Sequence, residues 1–266
     1  MLTPQRLNAS TPQRLASGQS GRDFYADLYS EDLLREAEWL RRTAGQKVES
    51  MARLLGRQQV HPAKILEVGA GTGAVIGELR DRGIGTEHFA VDFSEDAIGF
   101  LREREPDVQA VVADITEAPD PFGEGPYDVV VASHVIEHLE APAGFLDALH
   151  QVPARWFIAE VPLEDLAFGR LKALVSDRAN HPAGHVQFYS KQTFLDELAA
   201  AGWSVADSRV YAPRLDADTF AFSYGNSSLA RKAHKALTER ILPVALGPLW
   251  TRVYHAHCTT ICRVQS

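Results

Sequence analysis

Three histidines follow predicted strands and could take part in proton transfer. His134 comes directly after the apolar run "YDVVVAS", His138 stands four residues further on, and His185 lies in "HPAGHVQF". Imidazole is the most common general base in proteins because its pKa lies close to neutral pH. We therefore predict these three as candidate catalytic residues, with His134 the best placed. For His138 and His185, a structural hydrogen bond is an equally good interpretation.

A metal site is not expected from the spacing of these residues. His134 and His138 have the i, i+4 separation that would place two ligands on one helix face. However, Glu137 directly precedes His138, so the segment does not form the H-E-x-x-H pattern of zinc peptidases. We therefore predict no metal.

A second group of candidates surrounds the glycine-rich stretch "ILEVGAGTG" at residues 65–73. A backbone with so few side chains lets a ligand approach closely. A phosphate cradle of the Walker type would need Lys-Ser or Lys-Thr after the glycines, and the chain has Ala-Val there. Gly69, Gly71 and Ala74 formally satisfy the dinucleotide pattern G-x-G-x-x-A, so a nicotinamide cofactor stays an alternative. Glu67 counts against it, because a carboxylate repels a pyrophosphate and attracts an ammonium group.

The elements that must position these residues can be predicted from the apolar periodicity. From residue 64 onward, short apolar runs alternate with segments of helical spacing. This alternation predicts an α/β fold of the Rossmann-like, doubly wound type, with a mostly parallel seven-stranded sheet and helices on both faces. Ligands of such sheets bind beyond the carboxyl ends of the strands, where the candidate residues stand.

The chain is divided by its composition into five parts. We predict a mobile N-terminal tail at 1–22, a helical lid at 23–60, a Rossmann-like core at 61–212, an insertion at 213–254 and the last strand of the sheet at 255–266. Within these parts, Gly45 is predicted to break the lid helix, and residues 212–228 are predicted to form a long loop. The insertion could cover the substrate or form a dimer surface.

Four segments of the core resemble, in order and at matching spacing, the motifs of the class I S-adenosylmethionine-dependent methyltransferases. These segments are "ILEVGAGTG", "VDFSEDAI", "VVADIT" and "YDVVVASHVIEHLEAP". The E-H-L turn of the fourth and the later "GHVQFYSKQTFLDELAAAGW" resemble the branch that acts on small molecules and quinone-like compounds. The resemblance covers residues 64–203. It implies S-adenosylmethionine as the cofactor and methyl transfer to O, N or C of a small organic acceptor.

The resemblance also implies roles for individual residues. Asp92 would accept hydrogen bonds from the ribose hydroxyls, Asp114 would contact the adenine amino group, and Ile115 would pack on the adenine ring. Glu67 would favour the ammonium end, and Phe93 could lie against the adenine. The predicted cofactor-binding residues are Glu67, Gly69, Ala70, Gly71, Gly73, Asp92, Phe93, Asp114, Ile115 and Ser133. Tyr25 and Tyr29, at i, i+4, would close over the site from the lid, or would simply pack an aromatic face on the core.

Composition limits the partners and the location. The chain has 266 residues and a formal net charge of −8, and an acidic surface disfavours nucleic acid. The sequence contains no run of about 18 apolar residues, so no membrane span is predicted. The only two cysteines, Cys258 and Cys262, are expected to be buried thiols in the reducing cytoplasm. We predict a monomer or homodimer with a small-molecule acceptor. A nicotinamide-dependent oxidoreductase and a methyltransferase acting on tRNA or protein are the alternatives.

Overall fold

The computed structural model describes residues 21–169 and 183–264, with side chains from residue 33 onward. The strands are β1 (Lys64–Val68), β2 (Glu87–Asp92), β3 (Gln109–Val112), β4 (Tyr127–Ser133), β5 (Ala154–Leu163), β6 (Ser204–Tyr211) and β7 (Ala256–Arg263). The α-helices are α1 (Gly21–Arg57), α2 (Ala74–Asp81), α3 (Glu95–Arg104), α4 (Pro142–Gln151), α5 (Lys191–Ala200), α6 (Ala217–Tyr224), α7 (Leu229–Ala236) and α8 (Leu242–Leu246). Short 3-10 segments cover Ile136–His138 and Gly247–Arg252, and a π-helical turn covers Leu237–Ile241.

The seven strands form one sheet in the order β3-β2-β1-β4-β5-β7-β6. The first five pair in parallel, and β7 runs antiparallel between β5 and β6. The predicted fold class is thereby confirmed. Strand order reverses between β1 and β4, which places the ligand site of such a sheet beyond the carboxyl ends of these two strands.

Successive residues of the strands point to opposite faces, and each face has its own core. Ile65 packs with α1, α2 and α3 residues such as Met51 and Leu79, whereas Leu66 packs with α4 and α5 residues such as Leu146 and Phe194. This alternation follows from the two-residue period of a strand. Burial of both faces explains why the strands are almost continuously apolar.

Helix α1 is continuous through Gly45, so the predicted break there is wrong. A single glycine costs a helix only about 1 kcal/mol relative to alanine. Packing offsets that cost, because the neighbouring Ala44 and Val48 are buried in the core. The missing side chain also leaves room for Arg82, whose Nη2 donates to the Gly45 carbonyl oxygen at 2.8 Å.

The predicted loop at 212–228 is also wrong in part, because α6 lies within it. Asp216 begins this helix as its N-cap, and its Oδ1 accepts a hydrogen bond from the Thr219 backbone N–H at 2.7 Å. Phe220 and Tyr224 occupy successive turns of this helix, with their rings 5.2 Å apart. Among the helices that the structure describes, none has the length and apolar character to cross a membrane.

Candidate functional site

The glycine loop between β1 and α2 is held by backbone hydrogen bonds to β2. The N–H groups of Gly69 and Ala70 both donate to the carbonyl oxygen of Val91, at 2.9 and 3.1 Å. Gly69 and Gly73 have φ angles of +70° and +81°, a left-handed region that other residues adopt only with strain. These constraints hold the loop against the edge of the sheet where β1 and β2 end.

Two buried carboxylates fix the loop from either side. The Glu67 Oε2 accepts a hydrogen bond from the Ile76 backbone N–H at 2.9 Å, in the first turn of α2. The Asp92 Oδ2 accepts from the Gly71 N–H at 2.7 Å. Burial, only partly offset by the Ile76 hydrogen bond and the charge of Lys47, raises the pKa of Glu67 to about 8. A pKa of this size favours the protonated form of Glu67 at neutral pH.

A cavity of about 390 Å³ lies beside this loop, within the size range of small-ligand pockets. Every predicted cofactor-binding residue except Gly73 lines the cavity. Gly73 instead precedes α2 as its N-cap, and a Cβ atom there would lie 2.6 Å from Leu101 Cγ. The lining continues past Ser133 to His134, His138 and Phe145. Loop, carboxylates and candidate proton acceptors therefore share one cavity.

The residues after β3 are set by a local turn. Asp114 Oδ1 accepts hydrogen bonds from both the backbone N–H and the hydroxyl of Thr116, at 3.0 and 2.7 Å. This turn places Ile115 in the wall of the cavity, where it is 4% exposed. At the end of β4, the Ser133 hydroxyl is buried and has no hydrogen-bond partner in the protein. Such an atom is suited to bind a ligand.

His134 has a strained backbone at the start of the turn after β4. Its φ is +59°, which is uncommon for a residue other than glycine. The backbone N–H of His134 donates to the Glu160 carbonyl oxygen at 2.9 Å, which continues the pairing of β4 with β5. Strain of this kind is often found at functional sites. The result is a histidine ring that lines the cavity and contacts two carboxylates, Glu137 and Glu160.

The structure brings the other two predicted histidines next to each other. The rings of His138 and His185 are 4.9 Å apart, although only His138 is in the lining of the cavity. His138 Nδ1 donates to the Gly184 carbonyl oxygen at 3.1 Å, and His185 Nδ1 is 2.6 Å from Glu164 Oε2. Both histidines therefore have the structural hydrogen bond that was the alternative interpretation.

Several polar residues of this site were missed in the sequence. Glu160, in the middle of the apolar strand β5, accepts hydrogen bonds from the Tyr211 and Thr259 hydroxyls at 2.9 and 2.8 Å. His257, at the start of β7, lies with its Nδ1 3.3 Å from Glu160 Oε1. A charged residue inside an apolar strand was the available signal for Glu160. His257 could not be assigned, because only the antiparallel return of β7 brings it to β5.

The carboxylates of Glu137 and Glu160 are held ionised by the histidines around them. Burial would raise the pKa of Glu137, but attraction to His134, His138 and His185 outweighs burial and lowers the pKa to about 2. For Glu160, the favourable interactions with the imidazoles of His134 and His257 likewise outweigh burial and lower the pKa well below its ordinary value. Burial and the charge of Lys47 lower the pKa of His134, yet Glu137 and Glu160 outweigh them and raise it. The cluster therefore combines anionic carboxylates with imidazoles.

Lys47 is a further residue that the sequence analysis missed. Its side chain is only 7% exposed, and it lines the cavity from α1. Burial lowers its pKa, although Glu160, Glu137 and Glu67 attract its charge. The signal was present, because Lys47 lies among the apolar positions Ala44, Val48 and Met51 of α1. A lysine in such a stripe is exceptional unless it has a partner.

Tyr25 and Tyr29, the predicted lid residues, lie in the N-terminal part of α1. Their side chains are outside the described residues. Between Ala44 and Leu55, the same helix packs against one face of the sheet.

The sheet order, with a glycine loop after β1 and an acidic residue at the end of β2, is that of the class I methyltransferase fold. A family model described as "Methyltransferase domain" matches residues 36–208. The chain belongs to this family and is an S-adenosylmethionine-dependent methyltransferase.

Similar solved structures support the fold. A protein from Haloferax volcanii, solved in complex with the Trm112 methyltransferase activator, has 14% identity and a TM-score of 0.60, covering 91% of this chain and 98% of that chain. Magnesium protoporphyrin IX methyltransferase from Synechocystis, solved with S-adenosylhomocysteine, has 14% identity and a TM-score of 0.58, covering 92% and 100%. A protein from Bacillus halodurans assigned as a methyltransferase has 16% identity and a TM-score of 0.55, covering 82% and 100%. Among curated protein sequences, none matches this chain.

Proposed function

We propose that this methyltransferase transfers a methyl group to O, N or C of a small organic acceptor, such as a secondary metabolite or a quinone-like compound. The observation that carries the proposal is the single cavity that joins the cofactor residues to His134 and His138. Its wall beyond Ser133 includes apolar side chains such as Val135, Leu139 and Phe145. A pocket with apolar walls and a few converging polar groups suits a small acceptor.

The residues of the cavity fit the cofactor. The Ser133 hydroxyl, which has no partner in the protein, and the buried carboxylates Glu67 and Asp92 are suited to bind the hydroxyl and ammonium groups of the cofactor. The glycine loop has few side chains, so the cofactor can approach its backbone closely. Lys47 would attract the carboxylate of the amino acid portion. S-Adenosylmethionine supplies a methyl group on a sulfonium, with a neutral thioether as the leaving group. The protein's main contribution is then to align the acceptor with that methyl group.

His134 is the proposed proton acceptor for an acceptor that arrives as a hydroxyl or an ammonium. It lines the cavity, and its Nε2 lies 3.5 Å from Glu160 Oε1 without a well-formed hydrogen bond. Its Nδ1 lies 3.1 Å from Glu137 Oε1, which orients the ring. General-base catalysis of this kind contributes typically about 10²- to 10⁴-fold to the rate.

The proposal is tested by release of S-adenosylhomocysteine with a panel of phenols, quinols, amines and carboxylic acids, compared with tRNA and peptides. We expect turnover with a member of the small-molecule panel. His134→Asn should then lower kcat for a hydroxyl acceptor by about 100-fold or more and leave affinity for S-adenosylhomocysteine unchanged. Turnover with tRNA or peptide alone would replace the small-molecule proposal with its macromolecular alternative.

Binding of the cofactor product should release a proton, because burial raises the pKa of Glu67 to about 8 in the free protein. A bound ammonium favours the ionised carboxylate, so affinity for S-adenosylhomocysteine should rise with pH. We expect about one proton released and close to tenfold tighter binding per pH unit between about pH 5.5 and 7, where the ligand's own amino group stays charged. Titration calorimetry in buffers of different ionisation enthalpy measures the proton.

Glu67→Gln is the matched variant for this experiment. The glutamine oxygen can still accept the Ile76 hydrogen bond that holds the loop. It cannot ionise, so the proton release should disappear and the affinity should become nearly independent of pH. Unchanged proton release in Glu67→Gln would assign the proton to another group and remove Glu67 from the ammonium site.

The 213–254 segment keeps its proposed role as a substrate cover or dimer surface. Large apolar side chains of this segment are exposed, including Leu229 at 83%, Val244 at 63% and Leu249 at 62%. Exposed apolar side chains concentrated in one segment support a surface that is covered by a ligand, a domain or a second chain. The two buried free thiols, Cys258 and Cys262, support the proposed cytoplasmic location.

A further inference from the structure

Glu137, His138 and His185 form a cluster that two segments of backbone hold rigidly together. Glu137 and His138 belong to the 3-10 segment after β4, whereas His185 precedes α5. The backbone N–H groups of Val186 and Gln187 both donate to the Glu137 carbonyl oxygen at 2.9 Å. The three side chains are therefore preorganised, since the chain that carries them is fixed on both sides.

The Glu137 carboxylate is fully buried, and its Oε2 has no hydrogen-bond partner in the protein. Its Oε1 faces two histidine rings, with His134 Nδ1 at 3.1 Å and His138 Nε2 at 3.8 Å. Burying a carboxylate without hydrogen bonds is unfavourable by several kcal/mol unless a cation compensates. Oε2 is therefore a buried acceptor oxygen that lacks a donor.

The two histidines are oriented as metal-binding histidines usually are. A carbonyl oxygen can only accept, so His138 Nδ1 donates its proton to Gly184. His185 Nδ1 likewise donates to the Glu164 carboxylate at 2.6 Å. In a neutral imidazole, a proton on Nδ1 leaves the lone pair on Nε2. Histidines that bind metals are commonly fixed in this way by a carbonyl or carboxylate behind them.

We propose that Glu137, His138 and His185 bind one divalent transition-metal ion, of the zinc or iron(II) type. One ligand atom of each residue lies within 4.8 Å of the other two. Zinc ligands about 2.0–2.2 Å from a common ion are about 3.4 Å apart in a tetrahedral site, so a small inward movement of the side chains completes the geometry. Two histidines and one carboxylate form open sites for zinc or non-haem iron.

A neighbouring cluster provides a contrast within the same protein. His134, Glu160 and His257 also lie close enough for a metal. There, however, Glu160 already accepts hydrogen bonds from Tyr211 and Thr259 on its two oxygens. The protein itself satisfies this carboxylate, which is the reason to assign the ion to Glu137.

The position of the ion defines what it would bind. His138 is the one of the three ligands that lines the cavity, so an ion bound there would adjoin the space assigned to the acceptor. A metal ion there would bind an anionic oxygen of the acceptor, such as a phenolate or carboxylate, and would lower the pKa of a bound hydroxyl. This consequence rests on the proposed small-molecule acceptor, whereas binding of the ion does not.

The test is a metal titration of the full chain without an affinity tag, after removal of bound metal with a chelator. We expect one equivalent of Co(II) per chain, seen as a visible d–d absorption, and competition by Zn(II). Glu137→Gln and His185→Gln should each weaken Co(II) binding by about 100-fold or more, and Glu164→Gln by about 10-fold. Circular dichroism and S-adenosylhomocysteine binding report whether each variant is folded.

Two histidine variants serve as controls. His150→Gln alters a histidine that stacks on Trp203 away from the cluster, and His257→Gln alters the neighbouring cluster. Both should keep the Co(II) spectrum and the stoichiometry. Absence of saturable binding in the unaltered protein, a loss caused by His257→Gln instead, or binding that survives both Glu137→Gln and His185→Gln would overturn the assignment. Metal binding by a protein inactive on every small acceptor would refute only the proposed function.

Discussion

Replacing Asp92 by alanine is expected to weaken binding of S-adenosylhomocysteine by about 100- to 1000-fold. Asp92 is 6% exposed at the end of β2, where the resemblance assigns its carboxylate to the ribose hydroxyls. Hydrogen bonds to a charged group contribute about 1.5–3 kcal/mol each, and every 1.4 kcal/mol is about tenfold in affinity. The substitution also removes the acceptor of the Gly71 N–H, which loosens the loop. Titration calorimetry measures the change.

Asp128→Ala separates this effect from a general loss of stability. Asp128 also accepts hydrogen bonds from two backbone N–H groups, those of Ala63 and Lys64, but it does so at the opposite end of the sheet. Its removal should lower the unfolding midpoint and leave affinity within about twofold. Titration with NAD should give no heat in any variant. Full affinity in Asp92→Ala, or tight NAD binding, would contradict the assigned cofactor geometry.

Gly69→Ala is expected to destabilise the protein by about 2–4 kcal/mol and to weaken cofactor binding with it. The left-handed backbone at φ +70° disfavours a side chain by about 1–2 kcal/mol. In addition, a Cβ at this position would lie 2.4 Å from Val135 Cγ2, which is closer than such atoms can approach. Relief of the clash would move the loop that carries Ala70 and Gly71 in the cavity wall. Denaturant unfolding measures the free energy.

The cost of the left-handed backbone and the cost of the clash with Val135 can be measured separately with further variants. Gly83→Ala adds a Cβ at φ +67° with no atom within 4 Å, so it should show the backbone strain alone. Val135→Ala removes the clashing methyl groups, so the double variant with Gly69→Ala should recover about 1 kcal/mol or more relative to the sum of the two single changes. Additive effects of the two substitutions would show that Val135 does not limit this position.

Much of the proposed cofactor-binding part of the cavity could be predicted from the sequence, because its residues directly follow predicted strands. The loop at 69–73 directly follows β1, and Asp92 and Asp114 follow the next two strands. In a parallel sheet, the carboxyl ends of neighbouring strands lie at one edge. Spacing along the chain therefore predicts proximity without knowledge of side-chain packing. The same reasoning could not predict that α1 continues through Gly45, since packing of Ala44 and Val48 decides it.

The sequence by itself determined the class of fold, the cofactor and the residues proposed to bind it, because strand periodicity and short motifs depend on contacts a few residues apart or one strand away. Only the tertiary structure placed Lys47 of α1 in the cavity wall, brought Glu160 and His257 of β5 and β7 beside His134, and set His185 against His138. These contacts join segments that are distant in the chain. They depend on which faces of the helices and the sheet pack together, and spacing along the sequence does not specify that packing.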